Sequence, residues 1–188
     1  MIDKELLLRI EEAQRKIISF RPLSDFAAKQ LRDYYRIGLT YSSNALEGNS
    51  LTETETKVVL EDGLTIGGKT VREHAEAIGH SRAYDLIYDL SAEPSDITEA
   101  HIKEIHRIFV HIHPFVDGNG RVGRLLMNTA LLQYGYPITI IPPVLRSDYI
   151  QALRQSNDRN NNNFTNLIAR CVHESQKDYL RLVEALQE

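Results

Sequence analysis

Residues 113–124, HPFVDGNGRVGR, crowd a histidine, an aspartate, an asparagine and two arginines around three glycines. Gly118 and Gly120 leave the backbone open to a close-lying ligand. Backbone N–H groups at the helix start that should follow, near Asn119 or Gly120, point outward, and the helix dipole adds partial positive charge there. Arg121 and Arg124 are three apart and share a helix face. Each guanidinium can grip a phosphate through two hydrogen bonds. A positive loop with two arginines behind it suits a polyphosphate better than a single phosphate. Asp117, a carboxylate among phosphates, then calls for a cation between them, and Mg²⁺ takes one or two carboxylates plus phosphate oxygens. His113 is largely neutral near pH 7 and can accept a proton, and Phe115 suits an anchor in the core. The chemistry these residues support is phosphoryl or nucleotidyl transfer, with histidine as base and Mg²⁺ as cofactor.

Two plainer readings compete. A glycine turn between helices, with surface arginines, would require five polar roles to coincide at fixed offsets. A histidine metal site would use His101, His106, His111 and His113, since His-x-His can hold zinc. His101 and His106 lie five apart on a helix, a poor common face, and no cysteine accompanies them.

The elements that must position this loop are mostly helical. Asp3 can cap a first helix carrying Leu6, Leu7, Ile10, Ala13, Ile17 and Ile18, which Pro22 ends. Ser24 can cap a second helix through Gly38 and on towards Leu46, with Gly48 closing it. Thr52 and Glu55 form a capping box for a short helix to Glu61. DGLTIGGKTV, residues 62–71, flanks Gly67-Gly68 with β-branched residues and predicts a hairpin. Helices follow over about 72–90 and from Thr98 to about Val110; another runs from the glycine loop to Gly135. An apolar stretch is broken by Pro142-Pro143, and a helix spans about 147–156. A polar tract, NDRNNNN, precedes a last helix over about 164–186.

The 188 residues suit one domain, with 42% hydrophobic and 26% charged residues supporting a packed core. A net charge of −4 argues against a general nucleic-acid binder, which needs a basic face. No apolar run nears the roughly 18 residues of a membrane span, and no leader pattern opens the chain. The single Cys171, among Leu167, Ile168 and Val172, reads as a packing residue in a reducing, cytoplasmic setting.

The 113–124 stretch closely resembles the signature of the Fic family, His-x-Phe-x-Asp/Glu-Gly-Asn-Gly-Arg-x-x-Arg, and matches it at His113, Phe115, Asp117, Gly118, Asn119, Gly120, Arg121 and Arg124. The likeness extends over most of residues 40–170. It implies a mainly α, Fic-type helical bundle with a β-hairpin flap. Within one Fic domain over 1–188 it implies N-terminal helices to about 40, an inhibitory helix over 40–50, a core over about 51–170 and a C-terminal helix over about 164–187. It also implies protein adenylyltransferase activity: AMP passes from ATP to a Ser, Thr or Tyr hydroxyl of a target protein. His113 would be the base, Asp117 the Mg²⁺ ligand, and Gly118, Asn119 and Gly120 the phosphate cradle. Arg121 would hold the β-phosphate side and Arg124 the γ-phosphate. Gly67, Gly68, Lys69 and Thr70 would form the flap that docks the target. Tyr149 and Ile150 would wall the adenine pocket and Asn157 would read the base edge, with Tyr149 as a plain core residue the alternative.

SSNALEGN holds Ser43-x-x-x-Glu47-Gly48, which matches the family's inhibitory motif, Ser/Thr-x-x-x-Glu-Gly/Asn. The resemblance implies that Glu47 pairs with Arg124 and misarranges the triphosphate, with Ser43 bonding the helix end or the signature loop and helping to hold the glutamate in place. A helix-end glutamate before a capping glycine is the plainer alternative. Transfer of phosphate, UMP or phosphocholine, AMP removal, and nucleotide binding without turnover remain the competing functions. The target is unnamed, self-modification and a homo-oligomer stay open, and neither nucleic acid nor membrane is expected as a partner.

Overall fold

Asp3 accepts a hydrogen bond from Leu6 N at 3.0 Å and starts α1 (Lys4–Ser19), which buries Ile10, Ala13, Gln14 and Ile17 along one stripe. The structure, a computed structural model, describes residues 2–92, 97–110, 119–156 and 162–187. Its helices are α1, α2 (Asp25–Leu46), α3 (Glu53–Lys57), α4 (Val71–Ala92), α5 (Glu99–Val110), α6 (Asn119–Gln133), α7 (Arg146–Gln155) and α8 (Asn163–Ala185). Among the described residues no helix is long and apolar enough to cross a membrane.

The chain packs as two units. One comprises Met1–Tyr34 and Tyr136–Glu188. In it α1 lies along α8, and α7 also packs on α8. Gln176 donates to Ile10 O at 3.1 Å and Gln14 Oε1 at 3.0 Å inside that contact, so a polar bridge fixes the register of two otherwise apolar faces. Ile138 and Ile141 of the apolar stretch before the prolines are buried here. Cys171 is buried too, and burial pushes its thiol up to about 11, as a packing cysteine requires.

The other unit is Tyr35–Gly135. Here α4 packs on both α5 and α6, and α5 also touches α6. Because α4 is covered on several sides, its buried residues include His74, Glu76, Ala77, His80, Ala83, Tyr84 and Ile87. α2, capped within the first unit by Ser24 Oγ accepting from Ala27 N at 3.2 Å, continues through this one to Leu46. Gly48, with φ +97° and open space around it, ends the helix: an L side chain there would be strained by the backbone rather than by a neighbour. The capping box at Thr52 and Glu55 forms, but the helix it opens is α-helical only to Lys57 and continues as a π turn over Val58–Asp62.

The hairpin expected over 62–71 resolves differently. A turn forms, with Lys69 N donating to Ile66 O at 3.3 Å and Gly68 at φ +79°, but no strand pairing flanks it among the described residues. The second arm is consumed by α4. Thr70 N donates to Glu73 Oε2 at 2.8 Å, and Thr70 Oγ1 accepts from Glu73 N at 3.2 Å, a reciprocal cap that starts the helix at Val71. The first arm folds down: Ile66 N donates to His74 Nε2 at 2.8 Å, and Ile66 packs on Leu51, Val59 and Ala77.

A buried histidine carries a pH signature. His80 is fully buried and its Nδ1 lies 3.2 Å from Thr40 Oγ1. Its pKa is pushed down from 6.5 to about 3, first by burial and then by the charges of Arg124 and Arg121. The folded protein therefore keeps it neutral, while the unfolded chain binds a proton below about pH 6.5. The stability of the fold falls as pH drops through that window. Wild-type protein should lose stability between pH 6.5 and 4 more steeply than His80→Gln, by up to about 1.4 kcal/mol per pH unit. Parallel curves in chemical denaturation at several pH values would refute a neutral buried imidazole. In the other unit, Ile17→Ala, at a fully buried position, should cost about 2–5 kcal/mol by the same measurement.

Candidate functional site

Both arginines of the glycine-rich stretch lie on the first turns of α6, and both are buried. A buried guanidinium cannot stand uncompensated, and two helices supply its partners. Arg124 Nε donates to Ser43 Oγ at 2.9 Å, and its Nη2 donates to Ser43 O at 2.9 Å and to Glu47 Oε1 at 2.8 Å. The Arg124 side chain is 3% exposed and that of Glu47 26%, so the pair sits at the edge of the core with the carboxylate on the outer side. Arg121 Nη1 donates to Asn44 Oδ1 at 3.2 Å and lies 3.2 Å from Glu76 Oε1 on α4.

Glu47 reaches this place because α2 stops there. Its N–H donates to Asn44 O at 3.0 Å, and Gly48 N donates to Ala45 O at 3.0 Å, closing the last turn before the left-handed glycine. The carboxylate then lies over the start of α6. A Cβ added at Gly120 would stand 2.2 Å from Glu47 Oε1 and 3.1 Å from Arg124 Nη1. Gly120 is therefore open space that a carboxylate fills, at a helix N-terminus where an anion is favoured. A phosphate competing for Arg124 would have to take that space from Glu47.

His113, Phe115, Asp117, Gly118 and Asn157 lie outside the described residues, and Asn119 is the first residue of α6. Gly67 and Gly68 form the turn before α4. Lys69 Nζ donates to Ser50 O and lies 3.4 Å from Glu55 Oε2, and Thr70 caps α4, so both polar groups are engaged within the fold. In the other unit, Tyr149 is buried on α7 with its ring 5.9 Å from that of Phe164. Ile150, half-buried, lines a groove with Val144, Arg146 and Arg154. His101 Nδ1 accepts from Thr98 N at 3.2 Å, and among the described residues no group of three or more His, Cys, Asp or Glu is gathered to hold a metal. Mg²⁺ on a nucleotide needs only one or two protein carboxylates, the rest coming from phosphate and water, so the chemistry of an aspartate such as Asp117 fits it.

Sequence reasoning missed Asn44, Asn49, Glu76 and His80. Asn44 Nδ2 donates to Thr40 O at 3.0 Å while its Oδ1 accepts from Arg121. Asn49 Nδ2 donates to Glu76 Oε2 at 2.9 Å and to Glu73 O at 3.1 Å. The Glu73 carboxyl is held down to about 2, first by the Ser50 hydroxyl and then by the backbone N–H groups of Thr70 and Ser50. A signal was present: Glu76 and His80, four apart, interrupt the stripe that Ala83, Tyr84 and Ile87 continue.

Comparison with known proteins bears on the family and the fold. Residues 80–131 match the family model described as the Fic/DOC family. A protein adenylyltransferase Fic of Drosophila virilis is 27% identical over 95% of this chain and 50% of its own length. Those of Drosophila sechellia and Nematostella vectensis are 30% identical over 74% of the chain and 28% over 95%, covering 41% and 56% of their own lengths. The chain thus spans about half the length of the curated relatives it matches. Among solved structures, a Fic domain containing signaling protein from Bacteroides thetaiotaomicron superposes with TM-score 0.83 at 22% identity, over 94% of this chain and 97% of that one. Fic-1 from C. elegans gives 0.84 at 24% identity, over 96% and 72%. The matched stretch and the curated relatives point to the same family: residues 80–131 fit the Fic/DOC model, and the helical architecture is that of solved Fic-domain structures.

Proposed function

We propose that the chain is a protein adenylyltransferase that moves AMP from ATP onto Ser, Thr or Tyr hydroxyls of a target protein and holds itself in check through Glu47. The observation that carries this reading is the Glu47–Arg124 contact at 2.8 Å, with the carboxylate lying over Gly120. A site built for a polyphosphate anion has a side-chain anion in it.

The chemistry assigns each residue a task. His113 removes the proton from the incoming hydroxyl. The hydroxyl oxygen forms a bond to the α-phosphorus, the bond from that phosphorus to the bridging oxygen breaks, and pyrophosphate departs. Arg121 and Arg124 meet the negative charge that grows on the leaving group, in a buried setting where such pairing is stronger than in water. The outward N–H groups at the start of α6, around Asn119 and Gly120, cradle the phosphates together with Gly118. Asp117 would hold Mg²⁺, which when bound supplies neutralising charge on the phosphate oxygens. Glu47 opposes all this by occupying Arg124, and Ser43 strengthens the opposition through its hydroxyl and carbonyl. The 62–71 segment, with Leu64 exposed, is where target backbone would lie.

Labelled ATP, Mg²⁺ and a host lysate test this. Glu47→Gly should raise label incorporation about 5- to 150-fold over wild type, and Ser43→Ala by less. Adding His113→Ala to Glu47→Gly should lower incorporation about 10²- to 10⁴-fold. The mass added to the acceptor separates adenylyl from phosphoryl, uridylyl and phosphocholine transfer. Equal incorporation with and without Glu47 would remove it from control, and undiminished transfer without His113 would sink the mechanism.

A further inference from the structure

The two arginines of α6 are compensated in different ways. Arg124 is paired with Glu47, whose side chain is 26% exposed in the turn that follows α2. Arg121 is paired with Glu76, in the interior of α4, and the side chains of the two are 2% and 7% exposed. Glu76 is itself held on three sides. Its Oε1 accepts from Arg72 Nε at 3.1 Å and faces Arg121 Nη1, while its Oε2 accepts from Asn49 Nδ2 at 2.9 Å. A carboxylate fixed this way cannot swing off when a phosphate arrives. Loss of Glu47 releases Arg124, but Arg121 stays where α4 puts it.

We propose that Glu76 is a positioning residue for Arg121: a buried, triply held carboxylate that presents the Arg121 guanidinium to the polyphosphate whether or not Glu47 is engaged. Glu76 touches no phosphate itself; it acts through Arg121. Arg121 Nη1 is turned towards Glu76 and Asn44, which sets the plane of the guanidinium. Such an arrangement matches the need of in-line transfer, where a displacement of about 1 Å can cost about 10²-fold in rate. The placement of Asn49 on the same carboxylate also ties the segment just after Gly48 to α4. This inference rests on the polyphosphate-binding reading above.

The test uses the full chain in the Glu47→Gly form, with Mg²⁺ and ATP titrated by calorimetry and melting followed in parallel. Glu76→Gln keeps the shape and drops the charge. Glu76→Asp keeps the buried charge, and with it the fold, but withdraws the carboxylate by about 1.5 Å. Both should weaken ATP binding about tenfold or more. In an Arg121→Ala background the same two substitutions should change ATP binding less than about twofold, because nothing remains to be positioned. Equal losses in both backgrounds, or lowered melting with ATP binding intact, would overturn the positioning role. Failure of the Glu47→Gly parent to bind ATP at all is a separate result: it would sink the polyphosphate reading and the role of Glu76 with it.

Discussion

Two guanidinium groups are buried on the first turns of α6, and a buried charge must be answered. Removing one partner from such a pair typically costs about 3–5 kcal/mol, because the charge left behind has no water to turn to. The answers come from α2 and α4. Ser43, Asn44 and Glu47 on one side and Glu76 on the other bind three helices of this unit through polar contacts as well as through Leu125, Ile87 and Tyr84. His80, packed in the same layer, is kept neutral by burial and by those same positive charges. A second cation there would only add to what the carboxylates already have to offset.

The pairing is uneven, and the unevenness has functional meaning. Glu47 lies in the turn just past the last residue of α2, beside a glycine at positive φ, with part of its side chain in water. Glu76 lies inside α4 with its oxygens bound by Arg72 and Asn49. On the proposed reading, one carboxylate is placed to be displaced and the other to stay. This divides the labour of the two arginines. Arg124 is the contested one, claimed by Glu47 or by phosphate. Arg121 is the stationary one, oriented in advance so that little reorganisation accompanies binding.

Much of the local structure was legible because it is written in caps and breaks. Asp3, Ser24 and the Thr52–Glu55 box mark helix starts that form as expected, and Gly48 marks a stop. The 62–71 segment misled because Gly67-Gly68 between β-branched residues is a hairpin pattern, whereas Thr70 and Glu73, three positions apart, repeat the spacing of Thr52 and Glu55 and start a helix. The local cap won: two hydrogen bonds made at once, without waiting for a partner strand. The π turn over Val58–Asp62 left no comparable mark in residue type.

By itself the sequence determined the spacing of Arg121 and Arg124, the glycine between them and the loop, and the Ser43–Glu47 motif on a helix that Gly48 must end. Those follow from periodicity and backbone sterics, which act over a few residues. Which carboxylate meets which guanidinium was decided only by tertiary structure. Asn44 reaches Arg121 across 77 positions of chain, and Glu76 meets it from a helix whose burial on several sides hides any simple stripe. Such contacts depend on how α2 and α4 lie against α6, a property of packing that no local spacing encodes.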